Sequence, residues 1–173
     1  MTQIRAVLRA YQEQNNIQLM IPMIARVEEV RQVKALIARE AKRLGIEELT
    51  LPVGIMIEVP AAVLNADALA LEVDFFSIGT NDLTQYVMAA DRGNTALSGL
   101  VNYFEPAVIR AIELTCLAGD KAGIPVSMCG EMAGDTQATE CLLRLGLRKF
   151  SASSSLLPAL KGHLRQIDLS LPI

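Results

Sequence analysis

Apolar positions along this chain alternate between two spacings. Val30, Val33, Leu36 and Ile37 recur every three to four residues, the signature of a helix with one buried face. Short apolar runs such as VGIMI and VDFFSIG are instead the length of single strands. Read this way, helices are expected over Thr2 to Gln14, Val27 to Leu44, from near Pro60, from about Leu83, over Pro106 to about Ala122, Asp135 to Leu145, and about Leu156 to Gln166. Strands are expected over Gln18 to Ile21, Val53 to Glu58, Val73 to Ile78, Pro125 to Met128 and Lys149 to Ser151. A polar loop fills Asp91 to Tyr103. Pro60 and Pro106 suit first helical turns, where the missing N–H is harmless, and Gly123 and Gly146 suit helix ends.

Five strands alternating with helices predict an α/β fold with a parallel sheet, and the strand runs read as apolar on both faces, as strands covered on either side must be. Two architectures satisfy the pattern: an open doubly wound sheet, or the later part, about the last five βα units, of a (β/α)8 TIM barrel, which needs about 250 residues when complete. Either one gathers functional groups at the carboxyl ends of the strands. No internal repeat or Gly/Ser linker divides the sequence, so residues 1–173 are expected to form a single domain.

Bulk composition narrows the function classes. With 173 residues, 51% of them hydrophobic, the chain can bury a core and is too apolar to be disordered. Its 16 Lys and Arg residues are scattered and the formal net charge is −3, so no nucleic-acid footprint is present. No apolar run approaches a membrane span and the first residues lack a signal-peptide core, so a cytoplasmic protein with no membrane partner is expected. Cys116, Cys129 and Cys141 form no CxxC pair and the chain has 1 histidine, which argues against a disulfide framework or a zinc site. Cys116 and Cys141 fall at helical apolar positions and read as small core residues, and His163 reads as a surface residue.

The candidate chemistry lies at three strand ends. In DFFSIGTNDLTQY a buried strand runs into a polar turn and a helix start, where unpaired N–H groups attract anions. Gly79 permits close approach, Thr80 and Asn81 add polar donors, and Asp82 adds a carboxylate; the same residues would also serve as a plain helix N-cap. Glu58 closes the preceding strand, so it and Asp82 could share one hard cation, for which Mg²⁺ fits better than zinc. Arg92, in AADRGNT, could clamp a phosphate or carboxylate, or could be a solvated loop residue. Cys129, in a turn beside Gly130, could protonate a developing enolate or be a structural thiol.

The strings IMIEVPAA, VDFFSIGTNDLTQYVMAADRGN and MCGEMAGD resemble the phosphoenolpyruvate (PEP)-utilising enzymes, and within them most closely the enzyme I group, the PEP-protein phosphotransferases of the bacterial phosphotransferase system. The resemblance runs from about Leu19 to Leu160; TQYVMAADRGN favours enzyme I over the pyruvate phosphate dikinases and PEP synthases that share the SxGTNDLTQ core. It implies a barrel carrying Mg²⁺ on Glu58 and Asp82, the PEP phosphate on Asn81 and Arg92, and Cys129 as the acid that converts enolate to pyruvate. It also implies a homodimer and, through an N-terminal domain, a histidine-containing phosphocarrier protein as partner, in a system serving either sugar transport or a nitrogen-linked regulatory branch.

Departures shape what is expected of the chain. The family's phospho-accepting histidine motif, two phosphate-binding arginines and the carrier-recognition domain have no counterpart here, and SGLVNYFEPAV differs from the family at its loop. The chain is therefore expected to be the carboxyl-terminal PEP-binding part of a longer enzyme, inactive alone, with exposed sheet edges that invite self-association. A non-catalytic dimerisation or PEP-sensing module, and a lyase or aldolase using Mg²⁺-enolate chemistry, are competing readings.

Overall fold

The computed structural model describes residues 1–170 and contains eight α-helices and five strands among them. They run α1 (Thr2–Glu13), β1 (Leu19–Ile21), α2 (Val27–Arg43), β2 (Val53–Ile57), α3 (Pro60–Leu64), α4 (Ala66–Ala70), β3 (Phe76–Gly79), α5 (Thr80–Val87), α6 (Pro106–Ala122), β4 (Val126–Cys129), α7 (Thr136–Arg144), β5 (Lys149–Phe150) and α8 (Leu157–Leu164). Short 3₁₀ turns lie at Thr95–Leu100, Glu131–Gly134 and Ser154–Leu156.

The strands pair in parallel in the order β1-β2-β3-β4-β5. That order decides between the two architectures. A doubly wound sheet reverses its strand order at a switch point, whereas strands added one after another by right-handed crossovers place every helix on one face and curl into a barrel arc. This is the arc of a (β/α)8 barrel, of which five βα units are described.

Register sorts the side chains. Ile55, Ile57, Phe76, Ile78 and Met128 face the helices and join Leu69, Val108, Ile112 and Leu142 in the main core. The opposite, inner face carries Met20, Met56, Ser77, Ser127 and Lys149, so the expectation of strands apolar on both faces is corrected: only the helix side is uniformly apolar. A second cluster around Leu8, Ile37, Leu51 and Val53 lies under α1 and α2. Buried Glu40 ties those two helices together, its carboxylate accepting from Arg5 at 2.6 Å and Arg43 at 2.8 Å.

Boundaries differ in informative places. The helix near Pro60 breaks at Asn65 into α3 and α4. The third strand begins at Phe76 rather than Val73, and α5 begins at Thr80 rather than near Leu83. Gly123 ends α6 in the left-handed region with φ 72°, where glycine avoids the Cβ clash. Cys116 is buried and burial pushes its thiol up to about 11; Cys141 is half-buried and raised by the same cause. Cys116 packs in the main core, as expected, whereas Cys141 belongs to neither core cluster. His163, next to last in α8, is half-buried.

Candidate active site

Parallel pairing aligns the carboxyl ends of β2, β3 and β4, and the inner-face register sets Gly79 opposite Cys129, with Glu58 following Ile57 where Ile57 meets Ile78. Glu58, Gly79 and Cys129 thus form one row across three strands. A Cβ on Gly79 would stand 2.6 Å from Met56 Sδ and 3.0 Å from Glu58 Oε2, so the close approach this glycine permits is that of its own neighbours.

Glu58 is 3% exposed. Its Oε1 accepts from the Met23 backbone N–H at 2.7 Å. Burial pushes its carboxyl above the ordinary value; the Met23 bond pulls down, while the Asp82 charge and a hydrogen bond donated to Asp82 by the protonated form push up, with Arg92 opposing. Met23 sits at φ 57°, an unfavourable conformation for a side-chain-bearing residue, held just after β1 where its N–H meets Glu58. The sequence carries no signal for Met23 beyond the preceding Pro22, because its role depends on a segment 35 residues away.

The first turn of α5 settles whether Thr80, Asn81 and Asp82 are a helix cap. The cap position is Gly79, without a side-chain cap bond. Each polar side chain reaches another segment instead. The buried Thr80 hydroxyl donates to the Cys129 carbonyl at 3.1 Å, Asn81 Oδ1 accepts the Glu131 N–H at 3.1 Å, and Asp82 Oδ1 pairs with Arg92 Nη2 at 3.3 Å. With its oxygen used, the Asn81 amide keeps its NH₂ donors for another acceptor. Gln85 was also missed: its Oε1 accepts the Arg92 N–H at 3.1 Å and fixes the backbone where the loop turns back.

Cys129 ends β4, half-buried, with Ser77 Oγ donating to its Sγ at 3.8 Å across the inner face. Ser77 went unassigned in the sequence because a serine within a strand carries no signal. Gly130 follows at φ 91°, and a Cβ there would collide with Thr80 Oγ1, so this turn requires glycine on both counts. Downstream, Asp135 caps α7 through Oδ1 to the Gln137 N–H and accepts the Tyr103 hydroxyl at 2.7 Å on Oδ2, which fastens the loop bearing Arg92 to the segment after Cys129.

The structure thus brings Glu58, Asp82 and Arg92 into one charged group and links Thr80 and Asn81 to the Cys129 turn. Among the described residues no cluster of three or more His, Cys, Asp or Glu forms a metal cage. The donor set is two adjacent carboxylates, one of them buried with its charged form disfavoured. That is the supply suited to a magnesium ion that completes its shell with water and substrate oxygens.

The family model described as PEP-utilising enzyme, PEP-binding domain, matches residues 1–169. PEP-protein phosphotransferases from Priestia megaterium and Haloferax volcanii are 45% and 46% identical over 96% of this chain, and that of Bacillus subtilis is 48% identical over 91%. The chain spans about 30% of the length of these relatives. Among solved structures, a citrate lyase from Burkholderia xenovorans superposes with a TM-score of 0.70 at 22% identity, covering 92% of this chain and 52% of that one. The malate synthase of Haloferax volcanii gives 0.69 at 14% identity, covering 98% and 52%. At those identities the two structures speak for the fold alone.

Proposed function

Because the chain belongs to the PEP-utilising enzymes, by way of their PEP-binding domain, we propose that it is the carboxyl-terminal PEP-binding part of a PEP-protein phosphotransferase. The observation that carries this reading is the row Glu58, Gly79, Cys129 with Asp82 and Arg92 gathered beside it. Gly79 leaves the flanking carboxylate and thiol about two strand spacings apart, roughly 10 Å between backbones, room for a three-carbon acid phosphate.

In this reading Glu58 and Asp82 hold Mg²⁺, which when bound neutralises charge on phosphate and enolate oxygens. The Arg92 guanidinium and the free Asn81 NH₂ group grip the phosphate, aided by the first N–H groups of α5. As the ester P–O bond breaks and a histidine nitrogen takes the phosphoryl group, the departing enolate gains a carbon-bound proton from the Cys129 thiol and leaves as pyruvate. Ser77 and Thr80 orient that thiol and its carbonyl. The phospho-accepting histidine comes from another domain of the enzyme, since the chain's single histidine, His163, belongs to α8 and not to a strand end. Turnover, the phosphocarrier partner, sugar transport and the homodimer accordingly belong to the whole enzyme.

Calorimetry tests the reading. PEP is expected to bind weakly and only with Mg²⁺, and Glu58→Ala to abolish the signal. Binding of equal strength without a divalent ion would refute it.

A further inference from the structure

The Arg92–Asp82 pair points beyond site composition to the order in which the site fills. Asp82 Oδ1 faces Arg92 Nη2 at 3.3 Å, with the Glu58 carboxyl beside Asp82. Among the described residues Arg92 is the cation paired with this acid group, and it is also the group suited to a phosphate. It cannot serve both ends fully. A divalent ion on Asp82 would set two cations against one another across a single carboxylate, and repulsion would drive the guanidinium off.

The local build permits such a move. The backbone is fixed on both sides of the residue: Gln85 Oε1 accepts the Arg92 N–H at 3.1 Å, and Asp91 Oδ1 accepts the Gly93 N–H at 2.8 Å. The side chain itself is 48% exposed and its partner 33%, so rotating away needs no repacking. An ion pair of that exposure is easily displaced.

We propose that Arg92 is an internal placeholder for the cation: it occupies Asp82 while the site is empty, and releases to the substrate's phosphate once a divalent ion has arrived. The inference rests on the proposed metal and phosphate roles of these residues, and it makes metal binding precede productive phosphate binding. It also makes Arg92 an antagonist of the metal before it is an aid to the substrate.

The test is metal binding without substrate, read by Mn²⁺ paramagnetic resonance and by Mg²⁺ calorimetry on the whole chain, with circular dichroism confirming that each variant is folded. Arg92→Ala and Arg92→Gln are expected to bind the ion roughly two- to fivefold more tightly, the worth of an exposed ion pair. Arg92→Lys, which keeps the charge, should stay near the parent. Glu58→Gln and Asp82→Asn should lose binding. If the alanine and glutamine variants bind no tighter than the parent while the two carboxylate variants still lose binding, the placeholder role falls and the metal site stands. If the parent shows no saturable binding, or binding survives both carboxylate changes, the functional reading and the placeholder fall together.

Discussion

Glu58 shows how one carboxyl records both structure and function. Its burial and the Asp82 charge raise its proton affinity in the folded chain. The folded value lies above the unfolded one, so the metal-free chain is expected to lose stability as pH rises from the ordinary carboxylate value of 4.5 through the raised one. Thermal melts of Glu58→Gln should show a flatter dependence across that window. A divalent ion should reverse the penalty: at about 100 times its dissociation constant the stabilisation is about 2.7 kcal/mol, roughly 5–10 °C in melting temperature. The glutamine variant should show none of it. Thr80→Val makes a separate point. It leaves the Cys129 carbonyl without its side-chain donor, for a loss of about 1 kcal/mol, and should raise the rate at which iodoacetamide alkylates Cys129, since one of the two bonds tying the turn to α5 is gone.

At the scale of elements, the strands and long helices were legible because proline, glycine and apolar spacing punctuate them. Pro106 and Gly123 bracket α6 as their backbone chemistry requires. The start of α5 was misplaced for a physical reason: Thr80, Asn81 and Asp82 have the composition of a cap, but their side chains bond to other segments, which no local pattern reveals. The residue types of the site could be read from strand ends. The Met23 donor, the Ser77 contact and the Arg92–Asp82 pair could not, because each depends on positions brought together by the fold. The loop before α6 carries its own prediction. Tyr103→Phe removes the 2.7 Å bond to Asp135 and should destabilise the chain by about 1–2 kcal/mol, with faster amide exchange concentrated in residues 91–105. With the phenol pushed up to about 12, and its raised value meaning stability is lost only on deprotonation, this fastening should hold throughout neutral and mildly alkaline pH.

Across the whole molecule, the sheet has outer edges at β1 and β5 with no partner strand among the described residues. β5 is only two residues long, whereas β1 offers three, with Met20 36% exposed on the inner face. Unpaired edges of this kind invite strand addition, so the chain should self-associate with increasing concentration in sedimentation equilibrium. Met20→Lys should weaken that association while changing monomer stability by less than about 0.5 kcal/mol. The first turn of α5 has an implication for anyone wishing to transplant this chemistry. An eight-residue helix with no side-chain cap is not self-supporting in water, and its polar groups draw their orientation from the end of β4, the Glu131 N–H and Arg92. A peptide graft of DFFSIGTNDLTQY onto a foreign scaffold would carry the letters and lose the geometry; the smallest portable unit is the three neighbouring strand ends with their turns.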